Sequence, residues 1–214
     1  MKSALITIGA TREYLDPVRY ISNESSGLQG TAIIEQLIKN KIKTICLCGH
    51  TTAKKIVSPY VRYIETTTAK SMLSFAKKHS SVDLAIFNAA VSDYRVKKIS
   101  SIKIKKKENL NLNLVKNPDI LYSISTMKKR PKIVVGFAYE TNNYKNYAKK
   151  KLIDKNCDFL VLNFPLGNNK IFSSNRNNGL ILNRELEWTN IGYQTKKNFA
   201  KKMIQHIIRN SDEY

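Results

Sequence analysis

Several short stretches of the chain combine residue types that can hold a polyanion. Gly9-Ala10-Thr11-Arg12-Glu13 follows an apolar run, and its glycine stands where a phosphate or nucleotide could approach the backbone. The pattern is not GxGxxG, and a glycine after a strand also serves plain turn chemistry. Asn23-Glu24-Ser25-Ser26-Gly27 immediately precedes a helical pattern, where unpaired backbone N–H groups and the helix dipole favour an anion. Ser25 or Ser26 could equally cap that helix, and capping and phosphate binding can coexist. Arg19, just upstream, carries a guanidinium suited to planar two-point recognition of phosphate or carboxylate, or a simple solvated charge. Asn88-Ala89-Ala90-Val91-Ser92-Asp93-Tyr94-Arg95 sets small residues, which let a ligand touch the backbone, before an Asp able to accept two ribose hydroxyls or to close a turn. Lys97, Lys98, Lys103, Lys105, Lys106 and Lys107 then form either a solvated charge run or a mobile basic flap that closes over polyphosphate.

These stretches fall at the ends of regular elements. Apolar runs over residues 4–8, 44–48, 62–64, 82–88, 133–137, 159–163 and 180–183 read as strands. Helical periodicity over 27–40, 69–78, 144–156 and 196–209 alternates with them, and Ile33, Ile34, Leu37 and Ile38 cover one face of the first helix. Leu110, Leu112 and Leu114 alternate as a strand should, and Asn117-Pro118-Asp119 predicts a helix to about residue 129 with Pro118 near its first turn. The order predicts an α/β fold, a mostly parallel sheet with crossover helices, whose ligands gather at the carboxyl ends of the strands. No repeat or linker divides residues 1–214, so one domain is expected.

A net charge of +21 permits nucleic acid, an acidic membrane or anionic metabolites as partners without choosing among them. Lysine accompanied by many Asn and Ile is also what an AT-rich genome produces. Cys46, Cys48 and Cys157 form no CxxC or metal-finger spacing, and their odd number argues against a disulfide framework. A soluble, cytoplasmic protein is expected, since no stretch approaches the roughly 20 apolar residues of a membrane span.

Taken in order, the motifs resemble a known family. Gly9-Ala10-Thr11-Arg12-Glu13, then Asp16-Pro17-Val18-Arg19-Tyr20-Ile21-Ser22-Asn23 and Ser25-Ser26-Gly27, look like the opening signature of phosphopantothenate-cysteine ligases. The likeness continues through Ala89-Ala90-Val91-Ser92-Asp93-Tyr94-Arg95, Lys103-Ile104-Lys105-Lys106, Val115-Lys116-Asn117-Pro118-Asp119-Ile120 and Gly136-Phe137-Ala138-Tyr139-Glu140-Thr141-Asn142. It covers nearly the whole chain and is closest to the ligase half of the bacterial bifunctional decarboxylase-ligase.

That resemblance implies an enzyme joining 4'-phosphopantothenate to L-cysteine in coenzyme A synthesis, with CTP as co-substrate and Mg2+. It also implies a homodimer and allows a separate phosphopantothenoylcysteine decarboxylase as partner. By motif match, Asn23 contacts the reacting acyl group, Arg19 and Ala90 help hold phosphopantothenate, and Lys103 on the flap neutralises phosphate charge. The nucleotide falls to Gly9, Ser25, Phe87, Asn88, Ala89, Asp93 (ribose), the Lys116-Asn117-Pro118 turn, Phe137, Lys151 and Lys155. The metal ligands are not identified by the match. Glu24 departs from the His common in the family, and Phe164 and Asn175 stand where Asp is usual. A Rossmann-like oxidoreductase is the first rival, opposed by the missing GxGxxG and the basic flap; a nucleic-acid-binding protein is the second, opposed by the lack of any recognisable reader motif.

Overall fold

The computed structural model describes residues 1–106, 108–165 and 174–211. Its elements are Ser3–Ile8 (β1), Arg12–Tyr14 (β2), Tyr20–Ser22 (β3), Leu28–Lys39 (α1), Lys43–Cys48 (β4), Val61–Glu65 (β5), Ala69–Lys78 (α2), Leu84–Phe87 (β6), Tyr94–Val96 (β7) and Leu114–Lys116 (β8). They continue with Ile120–Ser125 (α3), Ile133–Tyr139 (β9), Tyr144–Asp154 (α4), Phe159–Asn163 (β10), Arg176–Asn177 (β11), Gly179–Asn183 (β12), Trp188–Asn190 (β13), Gln194–Thr195 (β14) and Lys196–Arg209 (α5).

Eight strands form one sheet in the order β13-β12-β10-β9-β6-β1-β4-β5. β5, β4, β1, β6, β9 and β10 run parallel, and β12 and β13 add antiparallel at one edge. Both faces are covered, which is why the central strands read as unbroken apolar runs. Ile6, Ile8 and Phe159 face Ile33, Leu37, Phe199 and Met203 of α1 and α5, while Leu5 and Leu47 share the opposite core with Met72, Ile124 and Leu152 of α2, α3 and α4. The chain leaves β1 toward β4 on one side and later returns to β6 on the other. That reversal opens a crevice outside the strand ends, the usual ligand position in such sheets.

Several local expectations are corrected. Neither Ser25 nor Ser26 caps α1; the N-cap is Gly27 at φ 75°, with no side-chain cap bond. Its conformation is selected at long range, because a Cβ there would lie 2.0 Å from the Thr51 hydroxyl oxygen. Pro118 precedes the cap of α3, which is Asp119, and the helix stops at Ser125 rather than near residue 129. Asn156 donates to the Ser125 carbonyl at 2.8 Å, which satisfies that end early. The strand expected over 82–88 starts only at Leu84, because the Asp83 carboxylate turns back to accept from the backbone N–H of Lys2 and Ser3. Of the three alternating leucines, only Leu114 enters a strand, and β8 pairs antiparallel with the unforeseen β7. The stretch between β1 and α1, in which no strand was expected, holds the β2–β3 hairpin. Lys107, Phe172 and Ser173 lie outside the described residues.

Candidate active site

The loops after β1 and β6 build the floor. The backbone N–H of Ala90 donates to the Gly9 carbonyl at 2.8 Å, that of Ser92 to the Thr11 hydroxyl at 2.9 Å, and that of Ala89 to the Thr7 hydroxyl at 3.2 Å. Residues 89–92 are thereby tied to the β1 end of the sheet. Gly9 lines neither of the two cavities described next: at φ 74° it lets the chain cross the Gly49-His50 backbone, where a Cβ would lie 2.5 Å from the His50 carbonyl oxygen.

Two cavities open there. The first, of about 590 Å³, is lined by Phe87, Ala89, Asp93, Lys116, Asn117 and Pro118, and by Phe137, Lys151 and Lys155. The second, of about 710 Å³, is lined by Asn23, Ser25, Asn88 and Ala90 and runs onto the start of α1. Ala89, Asp93, Phe137 and Lys151 border both, so the two share a wall. Asn117 fixes the turn beside it, donating from Nδ2 to the Ser92 carbonyl and from its backbone N–H to the Asp93 carbonyl, each at 2.8 Å. Lys155 is the C-cap of α4, and its Nζ lies 2.7 Å from the Asp119 carboxylate. On the other side Asn23 Nδ2 donates to the Val91 carbonyl at 3.0 Å, joining the loop before α1 to the loop after β6. Because α1 lacks a side-chain cap, its first-turn amides are left for a ligand.

Three expected site residues stand apart. Besides Gly9, neither Arg19 nor Lys103 lines either cavity. Arg19 Nη2 donates to the Ile104 carbonyl at 2.8 Å, and its guanidinium lies 3.6 Å from the buried Asp16 carboxylate. Asp16 also accepts from the Ile104 N–H at 3.1 Å and from those of Val18 and Arg19 at 2.8 Å. Burial pushes the Asp16 carboxyl up, but these N–H groups and the guanidinium outweigh it and hold the group below the usual carboxylate range. The segment carrying Lys103 is thus gripped at Ile104 by the hairpin turn.

The sequence reading missed Thr7, Gln29, Asn163, Asn177 and Lys196, all of which line these cavities. The Thr195-Lys196 start of a helical pattern was the available signal for Lys196; single polar residues elsewhere offer none. Phe164 stacks on Tyr144 with ring centroids 4.7 Å apart, so it packs at the start of α4. The three cysteines are buried and form no disulfide; burial first and then the Asp158 carboxylate push the Cys157 thiol up to about 12, whereas its hydrogen bond with Cys46 lowers Cys48. Among the described residues no group of three or more His, Cys, Asp or Glu could hold a metal, and no helix is long and apolar enough to cross a membrane.

The fold and site define an open α/β protein with an elongated, cation-bordered ligand crevice at its topological switch point. The chain belongs to the family described as DNA/pantothenate metabolism flavoprotein C-terminal domain, matched over residues 1–210. It is 37% identical over 213 residues to the Coenzyme A biosynthesis bifunctional protein CoaBC of Haemophilus influenzae, covering 95% of this chain and 50% of that protein. The corresponding Escherichia coli K12 protein is 35% identical over 220 residues, covering 98% and 52%. The chain therefore spans about half the length of the curated relatives it matches. A crystal structure of the C-terminal domain of Coenzyme A biosynthesis bifunctional protein CoaBC superposes with a TM-score of 0.83 at 31% identity, covering 100% of this chain and 97% of the other. The parallel sheet with crossover helices expected from the sequence is thus found.

Proposed function

We propose that residues 1–214 form one ligase domain that joins 4'-phosphopantothenate to L-cysteine at the expense of CTP. The observation that carries this reading is the shared wall between two cavities, formed in part by Phe137 and Lys151, with Asn23 on one side and Asn117 on the other. A carboxylate cannot accept an amine directly, because its oxygen leaves too poorly. Its oxygen first attacks the α-phosphorus of the nucleotide, forming a C–O–P link while the bond to pyrophosphate breaks. The cysteine amine then forms the C–N bond, the C–O bond to CMP breaks with its electron pair leaving on the phosphate, and the amine proton goes to solvent. Cations must offset the charge of a triphosphate brought against an acidic substrate.

In this reading the cytidine ring lies in the first cavity beside Phe137, against Phe87, Ala89 and the Lys116-Asn117-Pro118 turn, with Lys151 and Lys155 at its edge and Asn88 contributing from the second cavity. Asp93, exposed at the shared wall, takes the ribose. The phosphates point to Ser25 and the start of α1, on a backbone shaped by Gly9. Asn23 holds the reacting acyl group with Ala90, and Arg19 acts with Lys103 as the basic segment closes. With no protein cage among the described residues, Mg2+ would arrive on the triphosphate, whose oxygens and waters suit it. Exposed Tyr20, Tyr94 and Leu114 on the β2–β3 and β7–β8 ribbons, with exposed Ile102 in the connection between β7 and β8, support a homodimer joined through that arm. The setting is cytoplasmic, and a phosphopantothenoylcysteine decarboxylase takes the product.

Pyrophosphate release with CTP, 4'-phosphopantothenate and L-cysteine, repeated with ATP, tests the reading. CTP is expected to be the better substrate, and Asn23→Ala and Lys103→Ala are expected to fold normally and lose turnover. Near-parental activity in both variants would remove the assignment.

A further inference from the structure

The inner end of the second cavity holds polar groups that the assignments above leave without a task. Gln29, in the first turn of α1, is 8% exposed, and its Nε2 has no hydrogen-bond partner among the described residues. Its orientation is determined by a short chain of bonds. The Asn178 backbone N–H donates to Asn177 Oδ1 at 2.9 Å, so Asn177 presents its amide N–H groups to Gln29 and donates to Gln29 Oε1 at 3.0 Å. Gln29 is therefore left with its own N–H groups unmatched, a costly state for a buried donor. Asn163, at the end of β10, has a buried Oδ1 with no partner among the described residues. Lys196, at the first position of α5, is 7% exposed and is anchored through its backbone N–H to the Asn175 carbonyl at 2.9 Å. All three residues line the cavity that Asn23 lines.

We infer that Gln29, Lys196 and Asn163 form the subsite for the amino-acid substrate, with Gln29 and Lys196 receiving its α-carboxylate and Asn163 accepting from its α-amino group. The inference rests on the ligase reading above. Its argument is the complement of donors and acceptors. An unmatched amide donor beside a buried cationic side chain suits an anionic oxygen, while the unmatched acceptor asks for an N–H. A phosphate or pyrophosphate group offers acceptors alone and would leave Asn163 Oδ1 unmatched. An α-amino acid satisfies both demands, and a third contact at its amine would aim the lone pair toward the acyl group held near Asn23. The Lys196 ammonium, itself lowered by burial, also disfavours a second positive charge beside it, so the bound amine is driven toward its nucleophilic neutral form.

The test compares L-cysteine with cysteamine, which keeps the thiol and amine but lacks the carboxylate. Each charge-assisted hydrogen bond is worth roughly one to two powers of ten. The parental protein is expected to favour L-cysteine about a hundredfold in kcat/KM. Lys196→Met and Gln29→Leu are expected to shrink that preference to less than about tenfold, with the KM for CTP within about twofold and Lys196→Arg recovering part of the preference. Equal use of cysteamine by the parental protein overturns the inference without any variant having to fold. So does a preference unchanged in variants whose KM for CTP rises, which would give the subsite to the triphosphate, and so does a uniform loss of rate with lowered melting temperature. No pyrophosphate release by the parental protein under any combination overturns the ligase reading itself, a result distinct from equal use of the two amines.

Discussion

Gly30 lies in the first turn of α1, and alanine there has no room. A Cβ at this position would sit 2.3 Å from Ile8 Cγ2, 2.8 Å from Ile8 Cβ and 3.0 Å from Asn88 Oδ1. Ile8 is buried at the end of β1 and has little freedom to rotate, so the helix must retreat by about 1 Å to restore ordinary contact. Overpacking of this kind costs about 1–3 kcal/mol, and the better helix propensity of alanine returns up to about 1. The net loss of about 1–2 kcal/mol corresponds to a fall of about 3–6 °C in Tm for a domain of this size. The larger effect is on function, because the moving segment is the helix start that faces the second cavity. A displacement of about 1 Å at a reacting centre costs about a hundredfold in rate. Thermal unfolding followed by circular dichroism and kcat/KM for pyrophosphate release measure the two effects. Gly192→Ala is the control: with φ 77° and nothing within 4 Å of a Cβ, it carries backbone strain alone and should leave turnover unchanged. A Gly30→Ala protein that melts no lower than the parent and turns over normally would refute the close approach of α1 to β1.

Asp83 is held below the usual carboxylate range first by Lys132, whose Nζ lies 2.8 Å away, and then by the Lys2 backbone N–H. Its folded value lies below the unfolded one near 3.9, so its contribution is present above about pH 4 and is lost as pH falls further. Asp83→Asn should cost about 1 kcal/mol at pH 7 after solvent screening and progressively less as pH falls below about 4; a loss that stays the same as pH falls from 7 to 2 contradicts the linkage. Asp16→Asn should release Ile104 and raise tryptic cleavage after Lys103 and Lys105 about tenfold under native conditions, an effect ruled out by identical digestion rates. Ile102→Asp together with Leu114→Asp should convert a dimer to monomers in sedimentation equilibrium, since both side chains are exposed on the arm. A dimer persisting in that variant places the interface elsewhere.

Elements with long apolar runs or a sustained helical period were legible from the residues alone. Phe159–Asn163, Ala69–Lys78 and Lys196–Arg209 occupy the spans their periodicity predicts. Short elements were not, because three residues such as Tyr94–Val96 carry no period, and their pairing with Leu114–Lys116 spans the whole basic segment. Ser25 and Ser26 have the right chemistry for a cap, yet Thr51, distant in sequence, decides the geometry at Gly27. The site was legible where motifs cluster after β1 and β6. Gln29 and Asn163 were invisible there, and the helix start at Lys196 did not reveal its cavity, since only the placement of β10 beside β9 and the packing of α5 on α1 bring them together. Arg19 was read as a ligand-facing cation, but its geometry directs it to the backbone that carries Lys103.

The central claim is that one crevice activates a carboxylate on a nucleotide before any amine arrives. Rapid mixing of enzyme with CTP, Mg2+ and 4'-phosphopantothenate, without cysteine, followed by mass spectrometry of the quenched mixture, examines that step alone. The expected result is about one equivalent of pyrophosphate per site together with an acyl-cytidylate that vanishes when L-cysteine is added. Pyrophosphate that forms only when cysteine is present, or none with any nucleotide, contradicts the account.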